Sequence, residues 1–281
     1  MSHANAWSNP SHVSAQDALR MAAFLEERSR MTDQSHVNAR VRDVLAPAAG
    51  ERILEVGCGS GALCRLMASS VVPGGHITGL DISPDMAAMA RRYVADAGIS
   101  DAGIADAVTF DAGSAEGLPY PDAAFDAAFA ARLMLHVERP EVVLRQMMRV
   151  VRRGGRIVLM DWDWETVAVD HPDRELTHRL LHWRCDHHGG NNWSGRQLQR
   201  LMLDAGLHDV RVTPVVTIVH DDNTSLAQSL WRAAEVARNG GAITPDEHAV
   251  WTSALKARLA SRCFFASIAY FVVCGVCAGT D

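Results

Sequence analysis

An α/β fold with one mostly parallel sheet and helices on both faces is predicted by three observations. From Arg52 onward, short apolar runs of strand length alternate with stretches of helical periodicity. The alternation continues without an internal repeat, a low-complexity tract or an inter-domain linker. The first strand runs into a glycine-rich turn that opens a helix. Parallel neighbours need crossover connections, and helices supply them while covering the sheet.

Two helical patterns come first, over 14–28, where Leu19, Ala22, Ala23 and Leu25 recur near helical spacing, and over 35–45. Then follow strand 52–56, helix 61–71, strand 76–80, helix 84–97, and strands 107–110 and 125–130. Helix 139–152 and strand 156–161 continue the series. After Asp161 the pattern changes to a Trp- and His-rich stretch, helical over 172–187, then the loop HHGGNNWSG and a helix over 195–205. This stretch reads as an insertion beside the sheet. Strand 209–219, helices 224–238 and 245–260 and a last strand over 267–276 close the chain. The division that follows is a helical cap (1–48), a ligand-binding core (49–163), an insertion (164–193) and the rest of the sheet (194–281), with a helical insertion near 224–260.

The 281 residues, 48% apolar and 21% charged, suit one generous globular domain. A net charge of -6 argues against a nucleic-acid partner, which calls for a basic face. The opening MSHANAWSNPSH lacks the basic and apolar blocks of a secretory signal and reads as a cytoplasmic start. The apolar run over 263–278 contains Gly275 and falls short of the roughly 18 to 20 residues of a membrane span. It reads as a buried central strand, so no membrane is expected. The six cysteines are expected to be free thiols, and Cys274 and Cys277 form a CxxC without a second pair.

The decisive segment is ILEVGCGSG, residues 53–61. Gly57, Gly59 and Gly61 let the backbone turn sharply and lie against a ligand that a Cβ would displace. Strand carboxyl ends are where open α/β sheets place ligands. The next strand ends in Asp81, whose carboxylate suits a ribose diol. A dinucleotide site is the nearest competitor, but the glycines read GxGxG instead of GxGxxG. Glu55, just ahead of them, would repel a pyrophosphate and attract an ammonium group. A cofactor with a cationic amino-acid end fits both features. Asp81 could instead cap the following helix, although Ser83 is better placed to do so.

These segments, with GLDISPDM, SAEGLPYPDAAFD, LMLHV and RVVRRGGRIVLMD, resemble the class I S-adenosylmethionine-dependent methyltransferases over about residues 39–161 and the final strand. Within them the chain is similar to the ubiquinone/menaquinone-type enzymes and related bacterial natural-product methyltransferases. The resemblance implies a Rossmann-like seven-stranded, mostly parallel sheet with an antiparallel last strand, and S-adenosylmethionine as cofactor. It implies that Glu55, Gly57, Cys58 and Gly59 surround the methionine part, with Gly61 in the same turn. Asp81 and Ile82 would hold ribose and adenine, and Met86 would pack on the adenine. Ser114 and Ala115 would flank the adenine amino group, with Ser114 standing where the family commonly has Asp. Arg132 would lie near the methionine end through its backbone.

On the acceptor side, methyl transfer is an in-line displacement that needs alignment more than catalytic groups. His136, after the fourth strand, is the first candidate base. Its plainer reading is a hydrogen-bonded histidine behind the cofactor. Asp161, with Asp163 beside it, is the second candidate, or else caps a loop. Trp162, Trp164, Trp183 and Trp193 suit flat walls for a planar acceptor, or simply fasten the insertion to the sheet. His178, His182 and Asp186 share a helix face with metal-binding spacing, but no metal is expected and His182 is read as a polar pocket wall. His187, His188 and the glycines after them suggest a loop over the pocket. The opening helices and those of 224–260 are expected to cover the site. The expected activity is methylation of a small, aromatic or polycyclic acceptor at O, N or C, and a second copy of the chain is the one protein partner foreseen. Two rivals remain: a cyclase or isomerase on the same fold, and a silent cofactor-binding protein whose pocket should be blocked by side chains.

Overall fold

The computed structural model describes residues 15–96, 105–187 and 189–278. The segment MSHANAWSNPSH, Ser14 at the start of the first predicted helix, the end of helix 84–97 and His188 lie outside the described residues. The elements run α1 (Ala15–Arg30), α2 (Thr32–Leu45), β1 (Arg52–Val56), α3 (Ala62–Val71), β2 (His76–Asp81), α4 (Pro84–Asp96), β3 (Val108–Ala112) and β4 (Phe125–Ala131). A 3-10 turn at Met134–His136 leads to α5 (Pro140–Val150), β5 (Val151–Val169), α6 (Arg174–His187), α7 (Ser194–Asp204), β6 (His208–Val219), α8 (Ser225–Asn239), α9 (Pro245–Ala260) and β7 (Ala266–Val276).

The seven strands form one sheet in the order β3-β2-β1-β4-β5-β7-β6. The first five are parallel, and β7 is antiparallel to both neighbours. The apolar run near the end of the chain is therefore an internal strand between β5 and β6. Burial on both sides explains why it reads as continuous apolar sequence instead of alternating. Strand order reverses between β1 and β4, which opens a crevice at the carboxyl ends of these strands.

Alternate residues of each strand enter opposite layers. Ile53, Phe129, Val158 and Met160 pack with α2, α3 and α4, whereas Leu54, Ala128, Ile157 and Leu159 pack with α5 and α7. Leu54 and Ile53 are fully enclosed, each side chain contributing on the order of 2 kcal/mol by leaving water. The first layer extends beyond the sheet into α6, α8 and α9, where buried Trp251 donates to Thr177 Oγ1 at 3.0 Å and meets Trp231 edge-on.

The expected strand 156–161 is the middle of a longer one. β5 spans 19 residues, and its outer end pairs with β7 past a bulge between Asp163 and Ala168. The polar residues RRGG and DWDWE both lie on that strand, the first mostly exposed and the second mostly buried. No helix among the described residues is long and apolar enough to cross a membrane. All six cysteines are free.

Candidate cofactor and acceptor site

The carboxyl ends of β1, β2 and β4 meet at a cavity of about 580 Å³, roofed by α1, α2 and α8. Its floor is the glycine turn. Gly57, Gly59 and Gly61 all have φ in the left-handed region, at 76°, 52° and 75°, where side chains are strained. A Cβ on Gly57 would stand 2.8 Å from Leu133 Cδ1, and one on Gly59 would stand 2.8 Å from Leu25 Cδ1 of α1. The turn is tied to β2 by Leu80 O, which accepts from the N–H groups of Gly57 and Cys58 at 2.7 and 2.9 Å.

Gly57, Cys58 and Gly59 line the cavity, but Gly61 does not. A Cβ on Gly61 would meet the Phe110 ring at 2.5 Å, so this glycine serves the packing of the turn on β3 instead of touching a ligand. Its expected place in the cofactor site is thereby corrected.

Asp81 lies at the rim with both carboxylate oxygens engaged by backbone: Gly59 N–H donates to Oδ2 at 2.9 Å and Ser83 N–H to Oδ1 at 3.0 Å. It joins the glycine turn to the start of α4, while Ser83 Oγ caps that helix by accepting from Met86 N–H at 3.3 Å. Partial burial raises its pKa against the pull of these donors. Ile82 projects half-exposed into the mouth, and buried Met86 packs under α1 with Ala18 and Met21. Ser114 and Ala115 form the opposite lip, where Ser114 Oγ accepts from Glu116 N–H at 3.2 Å.

Glu55 is 2% exposed and reaches the cavity from the same sheet face as Ile53. The Cys64 thiol donates to its Oε2 at 2.8 Å, and no ion pair meets it among the described residues. Burial pushes its pKa up to about 8, against smaller opposing effects from Cys64, Arg65 and Arg132. A buried carboxyl without a counter-ion at the end of an open cavity is a site for a ligand ammonium group. The glycine floor and this carboxyl together fit the methionine end of S-adenosylmethionine.

Arg132 follows β4 with φ 59°, and its N–H donates to Met160 O at 2.7 Å. Its guanidinium donates to Gln34 Oε1 at 2.8 Å and Asn38 Oδ1 at 3.0 Å, both from α2, and Gln34 in turn donates to Tyr270 OH at 2.9 Å. Desolvation lowers its pKa. The side chain thus reaches the cavity as well as the backbone. His136 lines the cavity from the end of the 3-10 turn.

The acceptor candidates divide by parity along β5. Trp162 and Trp164 line the cavity. Asp161 and Asp163 point to the other face, toward α7: Ser194 Oγ donates to Asp161 Oδ2 at 2.5 Å, and Arg196 forms an ion pair with Asp163. Asp161 is fully buried, which pushes its pKa up to about 7, yet it does not line the cavity. The expectation that it serves as a base is therefore corrected: strand alternation turns it away from the chamber.

His182, Trp183 and Trp193 also stand outside the cavity, a third correction. Trp183 stacks on His187 at 4.3 Å and covers Gly240 at the end of α8. Trp193 Nε1 donates to Cys185 Sγ at 2.8 Å, and His182 is exposed 4.0 Å from Asp186. Among the described residues, no three His, Cys, Asp or Glu side chains gather closely enough to hold a metal.

Several lining residues escaped the sequence reading: Phe24 and Arg28 of α1, Arg184 of α6, Arg232 of α8 and Tyr270 of β7. Their signal was faint, since a Phe24–Arg28 pair four apart on an amphipathic helix also describes an ordinary surface. α9, expected as part of the cover, packs behind α8 and α6 and contributes no lining residue.

Comparison with known proteins agrees with this geometry. The model of the methyltransferase-domain family matches residues 54–159. A phosphatidylethanolamine N-methyltransferase of Cereibacter sphaeroides is 34% identical over 194 residues, covering 68% of this chain and 82% of the relative. A 27-O-demethylrifamycin SV methyltransferase of Amycolatopsis mediterranei is 37% identical over 50% of this chain and 47% of its own. Among solved structures, the [4+2]-cyclase SpnF shares the fold with a TM-score of 0.52 at 22% identity, over 86% of this chain and 81% of that one. The chain spans between 47% and 64% of the length of the first curated relatives it matches. The chain belongs to the class I S-adenosylmethionine-dependent methyltransferases, whose cofactor is S-adenosylmethionine.

Proposed function

We propose that the protein transfers a methyl group from S-adenosylmethionine to a small organic acceptor held between α1, α8 and the tryptophans of β5. The observation that carries this reading is that one cavity is lined both by the glycine floor with Glu55 and by Phe24, Trp162 and Trp164. When bound, the cofactor would supply an electrophilic methyl group on its sulfonium. Glu55 binds the ammonium group, and Asp81 with the Gly59 turn orients the ribose. Met86 and Ile82 enclose the adenine beside Ser114 and Ala115, while Arg132 braces the methionine end.

The tryptophan walls align a flat acceptor against the methyl carbon, and α1 and α8 exclude water. His136 takes the proton released by a hydroxyl, amine or ring carbon as it is alkylated. The open chamber speaks against a silent binding protein, whose pocket side chains would fill. Acceptors of the secondary-metabolite type suit its apolar walls.

Incubation of the purified protein with methyl-labelled cofactor and an extract of the producing cell tests the reading. A labelled small molecule formed with an equal amount of S-adenosylhomocysteine is expected. Conversion of a substrate without S-adenosylhomocysteine would replace transfer by cyclisation or isomerisation.

A further inference from the structure

Four arginines, Arg28, Arg132, Arg184 and Arg232, line the cavity, together with the carboxylates Glu55, Asp81, Glu116 and Glu138. The four cations fall into two pairs. Arg28 and Arg132 lie close enough to oppose each other's charge, and Arg132 is the one that acts on Glu55. Arg184 and Arg232 form the second pair, in which Arg232 opposes the charge of Arg184.

Besides Glu55, the carboxylates that act on the first pair, Asp33 and Asp161, do not line the cavity. Asp33 accepts from the N–H groups of Ser225 and Leu226, and Asp161 accepts from Ser194. No carboxylate is among the charges that act on Arg184. Arg184 is 5% exposed, lies 3.3 Å over the Trp164 ring and donates from Nη1 to Asn192 Oδ1 at 3.0 Å. Arg232, at an exposed position, sits over the Phe24 ring at 5.7 Å and forms no ion pair among the described residues.

A buried guanidinium without a counter-ion is costly, and a second one beside it raises the cost. One carboxylate of the cofactor needs one guanidinium fork, which Arg132, the lining arginine that acts on Glu55, would supply.

We propose that the acceptor carries an anionic oxygen group, a carboxylate or a phosphate, and that this group docks between Arg184 and Arg232. The aromatic faces of Phe24 and Trp164 hold the two guanidinium planes in place, so little side-chain freedom is lost when the anion arrives. This assignment rests on the methyltransferase reading for the identity of the ligand but not for the charge preference of the chamber.

The test uses three probes that share one ring system: 2-naphthoate, 2-naphthyl phosphate and neutral 2-naphthamide. Each is titrated calorimetrically into the full chain saturated with S-adenosylhomocysteine, and into the ligand-free protein. At least one anion should bind about tenfold more tightly than the amide, as charge-assisted pairing implies. A preference for the naphthoate or the phosphate says which group the natural acceptor carries. R232Q, at an exposed position, should abolish most of that preference while leaving S-adenosylhomocysteine affinity within about twofold. R184K should retain more of the preference than R184Q, because it keeps the charge.

The proposal is overturned if no anion is preferred, whether all three probes bind or none does. It is also overturned if the preference survives in both R232Q and R184Q, or if R232Q weakens S-adenosylhomocysteine as much as the anion. Failure to bind S-adenosylhomocysteine at all would sink the methyltransferase reading instead, and the titrations of the ligand-free protein would still decide the anion site.

Discussion

The two ends of the cavity are built by different means. The proposed cofactor end is made largely of main chain: Gly57 and Gly59 at positive φ, the Leu80 carbonyl that ties their turn to β2, and Asp81 joining that turn to α4. The proposed acceptor end is made of side chains brought together by α1, β5, α6 and α8, the first of which ends more than a hundred residues before the next begins. The difference teaches that damage at the first end should be large and specific to the cofactor, and damage at the second should spare the cofactor.

The largest expected effect is that of Gly57→Val. The substitution puts a branched side chain at φ 76° and into Leu133, so the turn must move and cofactor affinity should fall by about a hundredfold or more. Calorimetric affinity within a few-fold of wild type would break the contrast. Asp81→Ala removes a carboxylate that orders the turn and, in the proposed site, accepts from the ribose. A loss of about ten- to a hundredfold in cofactor affinity is expected from such charge-assisted bonds.

A pH series sharpens the comparison further. Glu55 is pushed up to about 8 in the ligand-free protein, so it is mostly protonated at neutral pH. An ammonium group favours the ionised form, so binding should release a proton, and cofactor affinity should rise with pH up to about 8 and then level. Glu55→Gln should flatten that dependence relative to wild type. The same raised pKa has a stability sign. Its folded value lies above the unfolded one, so its stabilising share is full below the ordinary carboxyl range and is lost as pH rises through about 8. Thermal melts of wild type and Glu55→Gln across that window check this. His136→Ala, the smallest effect on binding, should slow turnover while S-adenosylhomocysteine affinity stays near wild type; equal losses in both would place this histidine with the cofactor.

The cofactor end was legible because its parts are local. Nine residues contain the strand, the buried acid and the turn, and the conformations of Gly57 and Gly59 are demanded within that stretch. Even there, Gly61 shows the limit: a positive φ is readable from spacing, but the Phe110 ring that fills the space beside it comes from another strand. At the acceptor end, Asp161 and Trp162 could not both face one pocket, since neighbours on a strand point apart. The motif MDWDWE carried that alternation in plain view, and the structure sends the tryptophans inward and the acids to α7. Arg28, Arg184 and Arg232 were not legible, because nothing local separates an arginine on an ordinary helix surface from one that a distant helix closes over. Trp183 and Trp193 fasten α6 and its loop, the plainer of the two roles open to them.

Direct titration of the purified chain with S-adenosylhomocysteine and, separately, with NAD probes the cradle most directly. The glycine floor and the buried Glu55 predict saturable binding of S-adenosylhomocysteine, lost in Gly57→Val, and no binding of the dinucleotide. Uptake of NAD by a protein indifferent to S-adenosylhomocysteine would contradict the account.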